Sequence, residues 1–189
     1  MIIDNTIFKR QILSDISYIA NMLKTNVETD VYPIATHIFF SRYVELEKFI
    51  IDAYINYALG EKSNSGFQPS LNIDFKTKET LILFHKKIDG YMNIKAIEHG
   101  YKHLFATPPV NPFENFFTTQ RAAFQKLTSI RNVIAHQSES AYSEFYNKCH
   151  SGAPCSLEDY LFVYQGKFSN FYDLMNTMID ISETITNPF

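Results

Sequence analysis

The chain is poor in cysteine and glycine and has no tryptophan: 189 residues include two Cys, six Gly and no Trp. Two thiols, Cys149 and Cys155, are too few for a disulfide framework. The sequence therefore reads as one made for a reducing compartment, with the cytoplasm the expected location. No Gly-rich loop of the phosphate-cradling kind appears. A strong charge of one sign is also missing. Lys and Arg total 17 against 20 Asp and Glu, a net charge of -3, which argues against a surface-wide electrostatic clamp for nucleic acid and leaves only a local contact. The start, MIIDNTIFKRQILSD, is charged at Asp4 and has no apolar core of signal-peptide length. No later window stays apolar for the ~18 residues a span needs, so neither export nor a membrane crossing is expected.

Aromatic residues are abundant instead: 17 Phe and 12 Tyr, with many Ile. The length suffices for one core without staples, so a single domain over residues 1–189 is expected. Ile12, Ile16, Ile19 and Leu23 lie at helical spacing and predict a first helix from Asn5 to about Lys24. A turn region, Thr25 to Pro33, precedes the longest pattern, in which Phe39, Tyr43, Leu46, Ile50, Ala53 and Tyr57 recur at steps of three and four until Gly60. The segment Glu61 to Asp74 is rich in Ser, Asn, Gly and Pro and reads as a loop. Thr77 is placed to cap a third helix through Leu81, Phe84 and Ile88 that ends near Asp89-Gly90, and a short helix follows from about Asn93 to Phe105.

Pro108, Pro109 and Pro112 break the chain, and a helical period returns from about Asn115 in FFTTQRAAFQKLTSIRNVIAH. Residues Ser138 to Pro154 read as irregular. Ser156, followed three residues later by Asp159, forms an acidic capping box. It opens a last helix through Tyr160, Val163, Phe168, Phe171, Leu174, Met178 and Ile181. With no convincing strand pair, the expectation is an all-α bundle of five or six helices.

Chemistry concentrates in Arg131-Asn132-Val133-Ile134-Ala135-His136. A fixed cation beside a titratable imidazole can hold a phosphate and move a proton, which metal-free RNA cleavage requires. As a bare spacing, an Arg followed by a His four to six residues on arises by accident in roughly one such chain in three. Advancing about 100° per residue, Ala123, Phe124, Leu127, Ile130 and Ile134 fall within about 60° of one line and form the predicted core stripe. Arg131 lands at the stripe's edge, about 40° from Leu127. His136 and Asn132 lie about 180° and 140° away, on a polar face shared with Gln125 and Ser129. A joint site therefore needs either a helix that unwinds before His136 or a two-fold homodimer that lines one cleft with two motifs. The plainer alternative is a snorkelling Arg131 and a His136 that both favour the dipole at a helix C-terminus.

The string IRNVIAH resembles the motif of the HEPN superfamily, the higher eukaryotes and prokaryotes nucleotide-binding domains. Its ribonuclease members carry Arg, a polar residue, and His within four to six residues. Here these are Arg131, Asn132 and His136. The likeness extends over most of the chain and is best to small stand-alone prokaryotic members. SRYVELEKFIIDAY (Ser41 to Tyr54) is similar to the early family helix with a glutamate in an apolar stretch, here Glu47. NIKAIEHGYKHL (Asn93 to Leu104) resembles the segment before the motif helix, and CSLEDYLFVYQGKFSNFYDLM resembles the closing helix. Gln137-Ser138 after the histidine departs from the family form that adds Tyr two residues on and is silenced by an adenylylating partner.

The resemblance implies a HEPN-like helical domain and a metal-independent endoribonuclease without cofactor. In such an enzyme the 2'-hydroxyl attacks its own phosphate to leave a cyclic or 3'-phosphate end. Its site would be completed at a homodimer interface, in a toxin-antitoxin or phage-defence setting, with RNA and an antitoxin or other regulatory protein as partners. Arg131 would offset charge on the phosphorane, His136 would serve as general acid or base, Asn132 would orient one of them or bind a phosphate oxygen, and Glu47 would hold the Arg131 guanidinium. The alternative is a catalytically inactive HEPN module that binds RNA or a protein partner. Glu47 reads equally as a solvated charge pairing with Lys48 or the Tyr43 hydroxyl. Cys149-His150 with Cys155 lacks a fourth ligand and a known zinc spacing, so no metal is expected. His37, His85, His99 and His103 read as surface histidines, without the Glu of a zinc-protease pair.

Overall fold

The Asp4 carboxylate accepts a hydrogen bond from the Thr6 amide at 2.8 Å and opens α1 (Thr6–Thr25), the anionic cap a helix N-terminus favours. The structure is a computed structural model that describes residues 2–26, 28–89, 92–106, 111–163 and 169–188. Gly90, Pro108, Pro109 and Phe168, invoked above as breakers or helix positions, lie outside the described residues. In α1, Phe8, Ile12 and Ile19 are buried, while Ile16 and Leu23 are half-buried.

Helix α2 (Glu28–Ala58) begins earlier than expected and contains Pro33, so no turn extends from Thr25 to Pro33. The apolar stripe explains the difference. Val31 and Ala35 continue the spacing of Phe39, Tyr43, Leu46 and Ile50 toward the N-terminus, and all six are fully buried. Pro33 removes a single ladder bond, the one its amide would donate to the Thr29 carbonyl, and this loss is outweighed by burial of the extended stripe. Beyond α2, Gly60 adopts φ 82° and turns the chain into the loop. The Thr77 hydroxyl accepts from the Thr80 amide at 3.3 Å and caps α3 (Lys78–Asp89). Asn93 caps α4 (Ile94–Leu104) by accepting from the Ala96 amide at 2.8 Å.

Pro112 starts a helix rather than breaking one. It opens α5 (Pro112–Asn115), where its missing N–H costs nothing, and Asn111 caps the Phe113 and Glu114 amides. A π-helical turn, Phe116–Gln120, leads without interruption into α6 (Arg121–His136). The segment expected to be irregular over Ser138–Pro154 holds a further helix, α7 (Glu139–Cys149), capped by the Ser138 hydroxyl. Ser156 caps the Asp159 amide at 2.9 Å as expected, a π-helical turn covers Asp159–Val163, and α8 covers Ser169–Thr186.

The fold is all-α. Among the described residues there are eight α-helices and two π turns rather than five or six helices, and the only strand-like pairings are two isolated bridges, Ile3 with Ser63 and Leu71 with Phe105.

The residues group into two compact units. One comprises Met1–Ile7, Leu46–Arg121 and Asp180–Phe189; the other comprises Phe8–Glu45 and Ala122–Ile179. In the first, Tyr54 meets Phe113, Phe105 and His85 edge-on at 5.1, 5.6 and 5.3 Å between centroids. In the second, Tyr43 stacks on Phe124 at 5.9 Å, Phe145 meets Tyr160 edge-on at 5.2 Å, and Tyr32 stacks on Phe162 at 4.7 Å. The second unit contains the motif helix from Ala122 onward.

Candidate functional site

Helix α6 carries Arg131, Asn132 and His136, and its packing fixes how each presents itself. Phe124, Leu127, Ile130 and Val133 are buried, close to the predicted stripe, whereas Ala123 and Ile134 are only half-buried. Ser129, assigned above to the polar face, is fully buried. Its hydroxyl lies 2.8 Å from the Lys126 carbonyl and 3.3 Å from Cys149 Sγ on α7. The same helix supplies Lys148, which donates to Gln125 at 2.9 Å. The helix missed in the sequence thus covers part of the face that had been assigned to solvent.

Arg131 is half-buried and held from two sides. Its guanidinium carbon lies 5.6 Å from the Tyr43 ring centroid, a cation–π distance, and Nη1 donates to Asn132 Oδ1 at 3.0 Å. Tyr43 is itself anchored. Thr128 Oγ1 donates to the Phe124 carbonyl at 2.9 Å, so the Tyr43 hydroxyl, 2.8 Å from that oxygen, is the donor to Thr128. The sequence offered Tyr43 only as a core residue or a hydroxyl partner for Glu47. Its spacing on α2 announced burial, but not that a cation would sit over its ring.

His136 is exposed and is the last residue of α6. The helix does not unwind before it. The Gln137 amide still reaches the Val133 carbonyl at 3.0 Å, and the chain turns only at Gln137, whose φ is 48°. Five positions along a regular helix separate Arg131 and His136 by about 140° around the axis. In one copy of the chain, Arg131 and Asn132 are joined to each other, and His136 lies one turn on from Asn132, on that residue's face of the helix and not on that of Arg131. Glu47 is a half-buried residue of α2 and belongs to the unit that does not contain Arg131.

No family model, curated protein or solved structure matches the chain. Function therefore has to be argued from these residues.

The remaining candidates divide. Burial pushes the Cys149 thiol up, against a lowering by its hydrogen bond with Ser129, and His150 Nδ1 lies 2.9 Å from the Ala153 carbonyl. Among the described residues, no three His, Cys, Asp or Glu side chains are grouped as metal ligands. His37, His99 and His103 are exposed, but His85 is fully buried, with Nε2 2.9 Å from the Tyr54 hydroxyl, which corrects its reading as a surface residue. No helix among the described residues is long and apolar enough to cross a membrane.

A cleft beside the motif was not anticipated. It has a volume of about 570 Å³ between the early part of α2, including Thr36 and His37, and Ile134 and Ala135 of α6, and Glu158 also lines it. Neither Arg131 nor His136 lines it.

Proposed function

We propose that the chain is a metal-independent endoribonuclease of the HEPN type whose site is completed between two copies, working in the cytoplasm in a toxin-antitoxin or phage-defence setting. The observation that carries this reading is the arrangement of the helix end. Arg131 is held in a set orientation by Tyr43 and Asn132, while an exposed His136 ends the same helix. A cation already ordered loses little freedom on meeting a phosphate, and a solvent-facing imidazole is free to exchange protons. Two-fold pairing of the α6 ends would bring one copy's imidazole toward the other copy's guanidinium, which a single helix keeps apart.

In such a site the substrate 2'-hydroxyl loses its proton and its oxygen attacks the adjacent phosphorus. The bond to the 5'-oxygen then breaks as that oxygen gains a proton, leaving a cyclic phosphate or, after hydrolysis, a 3'-phosphate. His136 takes part in proton transfer, Arg131 stabilises the charge of the phosphorane, and Asn132 orients Arg131. The test is digestion of mixed RNA by the purified chain in EDTA. Arg131→Ala and His136→Ala are each expected to lower the rate about 100-fold or more, and the rate per chain should fall on dilution to monomer. Activity that survives either substitution overturns the reading.

One observation favours a second reading, a catalytically inactive HEPN module that binds RNA or a regulatory protein. A half-buried arginine over a tyrosine ring is also what a purely structural residue looks like. Retention of RNA without cleavage by the wild-type chain would select it.

A further inference from the structure

We propose that the cleft beside the motif is a subsite for an unpaired guanine base of RNA. The inference rests on the ribonuclease reading for the kind of occupant, and on the cleft's own chemistry for the choice of base. Its volume of about 570 Å³ falls within the range of small-ligand sites and holds a nucleotide. Tyr32, Pro33, Phe40 and Ile134 supply apolar and aromatic wall, the kind of surface on which unstacked bases pack. Tyr32 is set before any ligand arrives, because its ring lies parallel to that of Phe162, 4.7 Å away with an interplanar angle of 3°. A pre-ordered ring lowers the entropy cost of binding.

The polar groups at the cleft choose the base. Glu158 brings an exposed carboxylate beside the polar residues Thr29, Thr36 and His37, and among the described residues no Lys or Arg lines the cleft, so the carboxylate favours a ligand edge that donates hydrogen bonds. Guanine presents two adjacent donors, N1–H and the N2 amino group, which match the two oxygens of a carboxylate. Adenine and cytosine each offer a single amino group on that edge and uracil a single imide, so none satisfies both oxygens. The cleft also borders Ile134 and Ala135, the two residues before His136. A base seated there draws its sugar-phosphate toward the end of the motif helix.

The test measures binding of the four nucleoside 3'-monophosphates to the full chain by calorimetry. Guanosine 3'-monophosphate is expected to bind about tenfold or more tightly than the other three. Glu158→Gln, at an exposed position whose fold is checked by thermal melting, is expected to abolish that preference. Equal affinity for all four, no binding of the guanosine nucleotide, or a preference unchanged by E158Q overturns the proposal. So does an acetylated arginine amide that binds as tightly, because it would assign the cleft to a protein side chain. The two readings fail separately. Cleavage of RNA without base preference overturns the subsite and leaves the ribonuclease, whereas guanine-selective binding without cleavage keeps the subsite and sinks the ribonuclease.

Discussion

At Gly100 the absence of a side chain has a physical requirement behind it. A Cβ there would lie 2.3 Å from His85 Cε1 and 3.0 Å from the Tyr54 hydroxyl, inside the packed pair those two residues form. Gly100→Ala is therefore expected to cost about 1–3 kcal/mol through overpacking, read as a lower thermal midpoint. An unchanged midpoint would show that the pair can yield. His85 illustrates what a sequence conceals at this scale. The sequence around the imidazole gives no sign of its partner, a tyrosine 31 residues earlier whose hydroxyl meets Nε2 in the core. Arg131 and Asn132 were legible because their meaning depends on near neighbours along one helix. Tyr43 as the seat of the guanidinium was not, because that contact joins distant parts of the chain.

Among the elements, those with a strong apolar stripe were legible. The short helix expected from about Asn93 to Phe105 is α4 to within a residue at each end, with Asn93 as its cap and Ile97, Tyr101 and Leu104 buried. Helix α7 buries only Ala141 and Phe145, too thin a stripe to separate it from a polar loop, and its Ser138 cap went unread. That omission propagated, since a helix absent from the reading cannot cover Ser129. Ser138→Ala is expected to destabilise α7 by about 1 kcal/mol, with faster amide exchange along Glu139–Cys149 than elsewhere. Exchange that rises uniformly across the chain, or not at all, would deny the cap its local role. Two prolines misled in the same direction. Each was weighed as a breaker, yet Pro112 occupies a first helical position and Pro33 lies near the start of a helix whose buried stripe continues past it.

For the molecule as a whole, the all-α class followed from periodicity alone, while its grouping into two units did not, because each unit gathers segments far apart in sequence. Tyr54 and Tyr57 lie in the core of the first unit. Burial pushes the Tyr57 phenol up to about 12, with a smaller lowering by a hydrogen bond from Ser63, and burial pushes Tyr54 higher still. Both folded values exceed the ordinary 10.0, so the stability these protonated phenols contribute is complete below pH 10 and is lost as pH rises through the folded values. Helical circular dichroism and tyrosinate absorbance should change together above pH 10. Full ionisation of the tyrosines with the helices intact would contradict the burial.

The last helix is shared by both units: α8 gives the second its residues up to Ile179 and the first its residues from Asp180. Asn5 donates to Ser182 at 3.1 Å across 177 residues, and the Tyr57 hydroxyl donates to the Ile185 carbonyl at 2.9 Å across 128. A ribosome must therefore finish α8 before either unit can close. Until α8 is made, Asn5 and Tyr57 lack these partners, so the contacts that close the first unit across its sequence form last.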